Sequence, residues 1–435
     1  MNQNPDRLRD AFLGRDARYD GRFVAAVTTT KIYCVASCKA RKPRPEHVLV
    51  FPDGGSARAA GFRACMRCRP DAVLDGRDVD AESAGVGATR LEELFRAHRH
   101  ESVAREIRRA RVAWACAELA KTRRSILAIG EDAGWSSASA FHASFREFAN
   151  TTPDAYRRAL RGRDFELVCH GGVPPGGGLA QGIALEDGVA TLVIRSSRQG
   201  RVACRLECAH TPSPADMVSA HAIARRLLGL DADLRGFLRR VARLGPNSAW
   251  SDAPPALRLP LCVDPFEALA FAIAGQQVHV AFARSLRDEL AALAGEDAPL
   301  GQRTPPSPGR LAALDEAALV RARFSRQKAK ALIAAARAVA GAELDLAALA
   351  AGSTRTAERR LVALPGVGPW SAAYVLMRGF GFCDCMPASD VGLAVALQQR
   401  LGLSERPGAA EVAMRLAPLA PFRSLACYQL WRSFS

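Results

Sequence analysis

A multidomain, mainly α protein is what this 435-residue sequence predicts, and three observations carry the prediction. Four cysteines near the N-terminus stand in metal-ligand spacing. A β-rich stretch bounded by a glycine break lies near the middle. Alanine- and leucine-rich helical patterns dominate from about Asp264 to the end. A chain this long should hold three or more domains, each able to bury a core. Lysine and arginine exceed the acids by 16, which favours a polyanionic partner. Residues 1–162 hold 29 basic against 20 acidic side chains, so the N-terminal third carries more than half of the excess. The start is charged, and no apolar run reaches the ~18 residues that a membrane span needs. A cytoplasmic protein in a reducing compartment is expected, with no membrane partner.

Cys34, Cys38, Cys65 and Cys68 read Cys-x3-Cys, a gap of 26 residues, then Cys-x2-Cys. Two close pairs on tight turns suit one tetrahedral zinc ion. Around the cysteines lie Lys31, Lys39, Arg41, Lys42, Arg44, Arg63, Arg67 and Arg69. A thiolate-bound metal in such a basic field points at nucleic acid. Spacing alone favours a purely structural zinc ribbon. The words around the cysteines go further: Arg18-Tyr19-Asp20-Gly21-Arg22-Phe23, Thr28-Thr29-Thr30-Lys31-Ile32-Tyr33-Cys34, and Gly61-Phe62-Arg63-Ala64-Cys65-Met66-Arg67-Cys68-Arg69-Pro70. Over about residues 10–72 they resemble the N-terminal domain of the Ada proteins of the adaptive response. The resemblance implies a small zinc-bound α/β domain in which Cys34 is both a zinc ligand and the acceptor of a methyl group from a DNA methylphosphotriester, with Arg41 among the DNA-binding residues. Zinc would keep the thiol deprotonated and nucleophilic without a histidine base. Methylating one of four thiolates halves the net double negative charge of the site, which should tighten DNA binding. Where the family usually has Arg-Pro after the first cysteine, this chain has Val35-Ala36. That removes a positive charge from beside the nucleophile.

An acidic, glycine-containing stretch, Asp71 to Glu82, precedes a helical region that runs to about Gly162. Within it Ser125 to Arg158 resembles the second half of an AraC-type DNA-binding domain, through Ile129, Ala133-Gly134-Trp135, Ser137, Ser139, Phe141, Phe145-Arg146, Phe148, Thr152-Pro153 and Tyr156-Arg157. Gly134 suits the sharp turn of a helix-turn-helix, and Ser136–Phe148 would enter the major groove. Phe141, Phe145 and Phe148 recur at helical spacing and should be core. Gly130 replaces the alanine the family prefers, at a cost of about 1 kcal/mol. Only Gly87 to His98 resembles the family's first recognition helix. Promoter DNA and RNA polymerase are the partners this module implies.

Gly171 to Gly178 breaks any regular structure. Ile183 to Cys208 then alternates and carries Val189, Thr191 and Val193, which suggests a small sheet. The other eight cysteines, Cys116, Cys169, Cys204, Cys208, Cys262, Cys383, Cys385 and Cys427, form no second metal pattern. Thr304 to Gly309 reads as a surface loop inside the last domain.

Leu364-Pro365-Gly366-Val367-Gly368-Pro369-Trp370-Ser371 is a helix-hairpin-helix signature. Its glycines permit a hairpin whose backbone N–H groups face a DNA phosphate, with a monovalent cation as a possible companion. Gly366 and Gly368 are therefore DNA-binding candidates. Pro387-Ala388-Ser389-Asp390 follows, with Asp390 standing 22 residues past Gly368. Upstream stand Asp264-Pro265-Phe266-Glu267 and Ile273-Ala274-Gly275-Gln276-Gln277-Val278. Together these resemble the helix-hairpin-helix DNA glycosylases, most closely the 3-methyladenine DNA glycosylase II (AlkA) type, over about residues 165–435. The resemblance implies an all-α glycosylase domain behind a small β-containing AlkA N-terminal-like domain, with Asp390 catalytic. An alkylated purine is already cationic and leaves without a general acid, so one carboxylate can stabilise the oxocarbenium-like sugar and guide water. Asp384, between two cysteines, is the competing carboxylate. Bifunctional relatives carry a lysine where Trp370 stands, so a monofunctional enzyme is expected. Cys427 alone follows Asp390, so no iron–sulfur cluster is expected. Trp370 and Tyr374 lie one turn apart and could attract a cationic base through their ring faces, or be ordinary core. Phe422 is read as standing where the family often has a third pocket tryptophan. Gln277 matches the residue that fills the gap left by a flipped nucleotide, and His279 replaces a small hydroxyl residue.

The whole chain resembles the Ada–AlkA fusion proteins of alkylation repair. Its expected divisions are 1–75 (zinc methyl acceptor), 80–162 (helix-turn-helix), 165–255 (AlkA N-terminal-like) and 256–435 (glycosylase). The resemblance implies a nucleoid-associated monomer that acts on alkylated double-stranded DNA. The alternative is a methylation-activated transcription regulator whose glycosylase has decayed.

Overall fold

The computed structural model describes residues 5–16, 19–20, 22–38, 40–65, 68, 70–71, 93, 95, 102–169, 178–196, 200–245, 248, 250–254 and 257–432. The Gly87–His98 segment lies outside them except for Glu93 and Phe95. So do Lys39, Arg67, Arg69 and most of the Asp71–Glu82 and Gly171–Gly178 stretches.

The N-terminal part is a four-stranded sheet between two short helices, α1 (Pro5–Leu13) and α2 (Gly54–Ala59). The strands β1 (Val24–Val27), β2 (Ile32–Cys34), β3 (Val48–Phe51) and β4 (Arg63–Ala64) run in the order β3-β1-β2-β4. All four residues of β1 are buried because successive side chains point to opposite faces and both faces are covered. Ala25 and Val27 pack with Phe12, Phe23 and the cysteines; Val24 and Ala26 pack with Tyr33, Ala57 and Phe62. Strand β2 pairs with β4 in parallel, Tyr33 opposite Ala64, so Cys34 and Cys65 emerge at the same end of neighbouring strands.

The helix-turn-helix region contributes α3 (Val103–Lys121), α4 (Ile126–Asp132), α5 (Ala138–Ala149) and α6 (Pro153–Ala159). Each starts at a hydroxyl N-cap (Ser102, Ser125, Ser137, Thr152) that accepts a backbone N–H of the first turn. Ser137 as the cap starts the recognition helix at Ala138, two residues later than expected. Gly134 sits at φ +88° in the turn. The unusual Gly130 has a packing reason: a Cβ there would lie 2.8 Å from the ring of Phe141. Phe141, Phe145 and Phe148 are buried.

A four-stranded antiparallel sheet follows, β5 (Asp164–Val168), β6 (Leu179–Leu185), β7 (Gly188–Ser196) and β8 (Arg201–Glu207), in the order β5-β8-β7-β6. It begins before the glycine break. Helix α7 (Pro214–Leu227), opened by a Ser213–Asp216 capping box, lies on it. The buried face of the sheet (Phe165, Leu167, Ile183, Leu192, Leu206) belongs to one continuous core with Phe141, Phe145, Phe148 and Tyr156. The recognition helix and the sheet are thus mounted on shared packing.

Helix α8 (Leu234–Ala242) packs Phe237 and Val241 into the C-terminal core. That core is built by α9 (Pro265–Ala274), α10 (Val280–Ala294), α11 (Pro308–Ala312), α12 (Glu316–Arg321), α13 (Arg326–Ala340), α14 (Leu346–Ala351), α15 (Thr354–Val362), α16 (Pro369–Tyr374), α17 (Val391–Leu401), α18 (Ala409–Leu416) and α19 (Arg423–Arg432). Helix α16 continues into a π-helical turn, Val375–Gly379. The helical pattern is interrupted by a two-residue ladder, β9 (Asp297–Ala298) with β10 (Gln302–Arg303), which abuts β6 at Gly182. The segment from Thr304 is no simple surface loop. Thr304 is buried, its Oγ1 accepts from Glu296 N at 2.9 Å, and Ser307 caps α11. Among the described residues no helix is long and apolar enough to cross a membrane.

Candidate functional site

The sulfurs of Cys34, Cys38, Cys65 and Cys68 converge to within 4.8 Å of one another. The parallel β2–β4 register brings Cys34 to Cys65, with Cys65 N donating to Tyr33 O at 3.0 Å, and a tight turn, Cys38 N to Val35 O at 3.2 Å, brings in Cys38. Cys34, Cys38 and Cys65 are buried. Hydrogen bonding with Cys38 pushes the Cys34 thiol far up, and the same contact holds Cys38 down. Four sulfurs this close, three of them on buried residues, can all be thiolates only around a cation, so the donor set fits zinc. The buried Asp20 carboxylate shapes the turn by accepting from Ser37 N at 2.8 Å and from Ser37 Oγ. Val35 and Ala36 are buried, and Lys42 reaches the place where their charge is missing. Its Nζ donates to Ala36 O at 3.2 Å and lies 3.5 Å from the centroid of the Phe12 ring. Burial holds the Lys42 ammonium below its usual range, against the pull of the Cys38 and Cys34 sulfurs. Arg41 is exposed on the same loop.

The second constellation surrounds the hairpin between α15 and α16. Gly366 has φ +76°, and a Cβ there would meet the Cβ of Ala331 on α13 at 2.6 Å. Only glycine suits that position. Gly368 opens α16 at φ −94° with nothing within 4 Å of a would-be Cβ. The Gln276 side-chain amide donates to Gly366 O at 2.8 Å and to Ser371 Oγ at 2.9 Å, which ties the loop after α9 to the hairpin. Gln277, next door, is exposed in the left-handed region at φ 54°. A non-glycine residue held there is displayed by its surroundings. His279 has a local role, since its Nδ1 accepts from Phe282 N at 3.2 Å and caps α10. A small hydroxyl residue does the same work at a helix start.

Asp390 is the N-cap of α17, where the helix dipole favours its charge. Its Oδ1 accepts from Leu393 N at 2.7 Å and from Trp431 Nε1 at 3.1 Å, and its Oδ2 from Trp370 Nε1 at 2.8 Å. Trp370 stacks on Tyr374 (centroids 5.7 Å apart, planes 22° apart), and Tyr374 also meets Phe271 at 5.5 Å and Trp431 at 6.3 Å. A half-buried carboxylate is thus bonded to two indoles that belong to a group of four aromatic rings. Behind them Arg378, on the π-helical turn, lies over the rings of Tyr374 and Tyr428. Burial pushes the Tyr374 phenol well above its usual range.

The structure brings Trp370, Tyr374 and Asp390 together and sets Gln277 beside the hairpin. Phe422 stands elsewhere, edge-on to Phe237 at 6.4 Å. The ring that joins the group is Trp431, which the sequence reading did not single out; its one signal was being a scarce tryptophan in the last helix. Asp384 is engaged differently: Arg423 holds it with Nε–Oδ1 at 2.7 Å and Nη2–Oδ2 at 2.5 Å. That pairing leaves Asp390 as the carboxylate presented to the rings.

Three family models match the chain: the metal binding domain of Ada over residues 7–71, a helix-turn-helix domain over 81–159, and the HhH-GPD superfamily of base excision DNA repair proteins over 270–421. A probable bifunctional transcriptional activator/DNA repair enzyme AlkA of Mycobacterium tuberculosis is 31% identical, across 99% of this chain and 97% of that protein. DNA-3-methyladenine glycosylase 2 of Escherichia coli is 34% identical over 49% of this chain and 72% of its own length. The bifunctional Ada of Escherichia coli is 46% identical over 66 residues, 15% of this chain and 19% of that protein. In fold, the chain is similar to a 3-methyladenine DNA glycosylase from Archaeoglobus fulgidus (TM-score 0.52, 19% identity, 62% of this chain and 90% of that one).

Proposed function

The chain belongs to the Ada–AlkA family, in which an Ada metal-binding domain, a helix-turn-helix and a helix-hairpin-helix glycosylase share one polypeptide, and on that premise we propose its chemistry. It is a DNA alkylation-repair protein with one zinc ion at Cys34, Cys38, Cys65 and Cys68. We divide it into residues 1–75, 80–162, 165–255 and 256–435. The last of these is a monofunctional glycosylase that releases alkylated purines such as 3-methyladenine from double-stranded DNA. The observation that carries this reading is the Asp390 carboxylate, held by two indole N–H groups and a helix N-terminus against a group of aromatic rings.

Those rings suit a flipped, cationic base, because their negative faces attract it. The glycosidic bond breaks with its electron pair leaving on the base, which becomes neutral. The sugar left behind is cationic, and Asp390 stabilises it at short range. Water then adds to the sugar carbon and gives up its proton towards Asp390. The exposed Gln277 fills the space the nucleotide vacated. Gly366 and Gly368 present backbone N–H groups to a phosphate, with room for a monovalent cation at the same turn. Trp370 has no amine to attack the sugar, so the abasic strand stays intact.

At the other end Cys34 accepts the methyl group of a phosphotriester. Bound zinc supplies the charge that keeps the four thiols deprotonated at neutral pH. The Cys34 sulfur forms a bond to the methyl carbon, the carbon–oxygen bond breaks, and the phosphate departs as an ordinary diester anion. The event happens once per molecule. Lys42 and Arg41 offer positive charge to that phosphate. Loss of one thiolate charge raises DNA affinity, and promoter binding by the helix-turn-helix with recruitment of RNA polymerase follows in a monomer. Incubation with methylated duplex should release free methylated purine, leave an uncleaved abasic strand, trap nothing with borohydride, and add a single methyl to Cys34 by mass spectrometry. A methyl on Cys38, or a trapped covalent complex, would overturn the corresponding half.

A further inference from the structure

The turn between the first two metal-ligand cysteines touches the C-terminal domain. Asp20, whose side chain is 1% exposed, forms an ion pair with Arg355 Nη2 at 2.7 Å, and Arg355 also donates to Ser37 Oγ. Ser37 in turn donates its N–H and its hydroxyl to Asp20, so the three side chains close a triangle. A second bridge stands close by: Arg22 Nη2 donates to Val362 O at 2.6 Å. Arg355 is the second residue of α15 and Val362 its last, so the N-terminal domain grips that helix at both ends. Arg22 places a guanidinium at the negative end of the helix dipole. Val362 precedes Leu364, where the hairpin begins, by two residues.

We propose that Asp20, Ser37, Arg355 and Arg22 form a latch that docks the metal-binding domain along the hairpin-leading helix and couples the two repair sites energetically. The identity of those sites rests on the reading above; the latch itself does not. Its switching element is the Cys34–Cys38 turn, pinned at either end by a metal ligand. When that turn is ordered, Ser37 supplies two of the three donors that the buried Asp20 needs. When the turn loosens, Asp20 keeps only Arg355 and a buried charge is left short of hydrogen bonds, which disfavours the docked arrangement. Helix α15 then loses its grip, and the hairpin loses the support of its leading helix. Coupling of this kind is reciprocal, so ordering the hairpin on DNA must also order the metal loop.

Hydrogen–deuterium exchange on the full-length, zinc-loaded protein tests the latch without reference to activity. Removing zinc with a chelator should raise exchange over peptides spanning 354–368 in the wild type by about threefold or more, a factor in keeping with one pair that is buried on one side only. In Arg355→Ala the exchange should start high and no longer respond to zinc, while zinc content stays at one per chain. Arg355→Lys should recover part of the response, because it retains the charge but not the fork. In the reciprocal arm, an abasic-site duplex should slow zinc loss to the chelator in the wild type and not in Arg355→Ala. Exchange over 354–368 that ignores zinc in the wild type, or that responds equally in Arg355→Ala, would overturn the proposal. So would zinc loss that the duplex slows equally in both proteins. Wild-type protein that binds no abasic duplex would instead sink the glycosylase reading and leave the exchange arm decisive for the latch.

Discussion

Asp390 carries three hydrogen bonds, two on Oδ1 and one on Oδ2. A carboxylate oxygen can accept two, so Oδ2 is the atom that water can approach. The indoles therefore orient a charge. Trp431→Phe keeps the ring and removes one charge-assisted donor, an interaction of about 1.5–3 kcal/mol. Single-turnover base release should fall about tenfold or more, with the Kd for an abasic duplex little changed; equal rates would show that the N–H does not matter. Phe422→Ala should lower stability, since Phe422 packs edge-on against Phe237, and should leave the cleavage step alone. Trp431 was illegible in the sequence for a physical reason. Its link to Asp390 spans 41 residues and rests on where two helices pack, which no local spacing records. Asp390 was legible because it sits in a short word at a fixed distance from the hairpin.

The hairpin and the recognition helix show how little a glycine's presence says until its neighbours are known. Gly366 and Gly368 look alike in the motif, yet only Gly366 combines a left-handed backbone with a neighbour at 2.6 Å. Gly366→Ala should weaken DNA binding about tenfold or more and lower the melting temperature. Gly368→Ala should stay close to wild type in both, and the opposite ranking would contradict the placement of the hairpin. Gly130→Ala raises helix propensity by about 1 kcal/mol but drives a methyl into the buried Phe141 ring. It should therefore destabilise the protein in a denaturant melt. The recognition helix was readable from its local words, although its Ser137 cap starts it two residues later than those words suggest. Strand β5, five residues just after a helix, was not, because its partner β8 lies some 40 residues on.

At the scale of the whole molecule, the shared core makes the helix-turn-helix and the following sheet one mechanical unit. His221 lies in that junction, edge-on to Tyr156 and near Phe165, and burial, helped by the charge of Arg225, lowers its pKa to about 3. An unfolded histidine titrates near 6.5, so between about pH 6.5 and 3 the unfolded state binds the extra proton. Stability must fall as pH drops through that window, by up to about 1.4 kcal/mol per unit from this group. His221→Phe should flatten that part of the slope in denaturant midpoints measured from pH 7 to 5; an unchanged slope would mean the ring is not held neutral. The order of modules was legible because metal ligands and hairpins come as compact words. How the modules touch was not: the Asp20–Arg355 pair joins residues 335 apart, and no composition or periodicity announces it.

On the proposed reading, Asp390 supplies charge to a cationic sugar while the hairpin supplies binding. The substitution Asp390→Asn separates the two, because the amide preserves the carboxylate's shape and can still accept a hydrogen bond but loses the charge. Preorganised electrostatic stabilisation of this kind is typically worth about 10²–10³ in rate. Release of methylated purine from methylated duplex should fall by at least that factor, while the Kd for an abasic duplex stays within about threefold of wild type. Base release by Asp390→Asn at the wild-type rate would contradict the account.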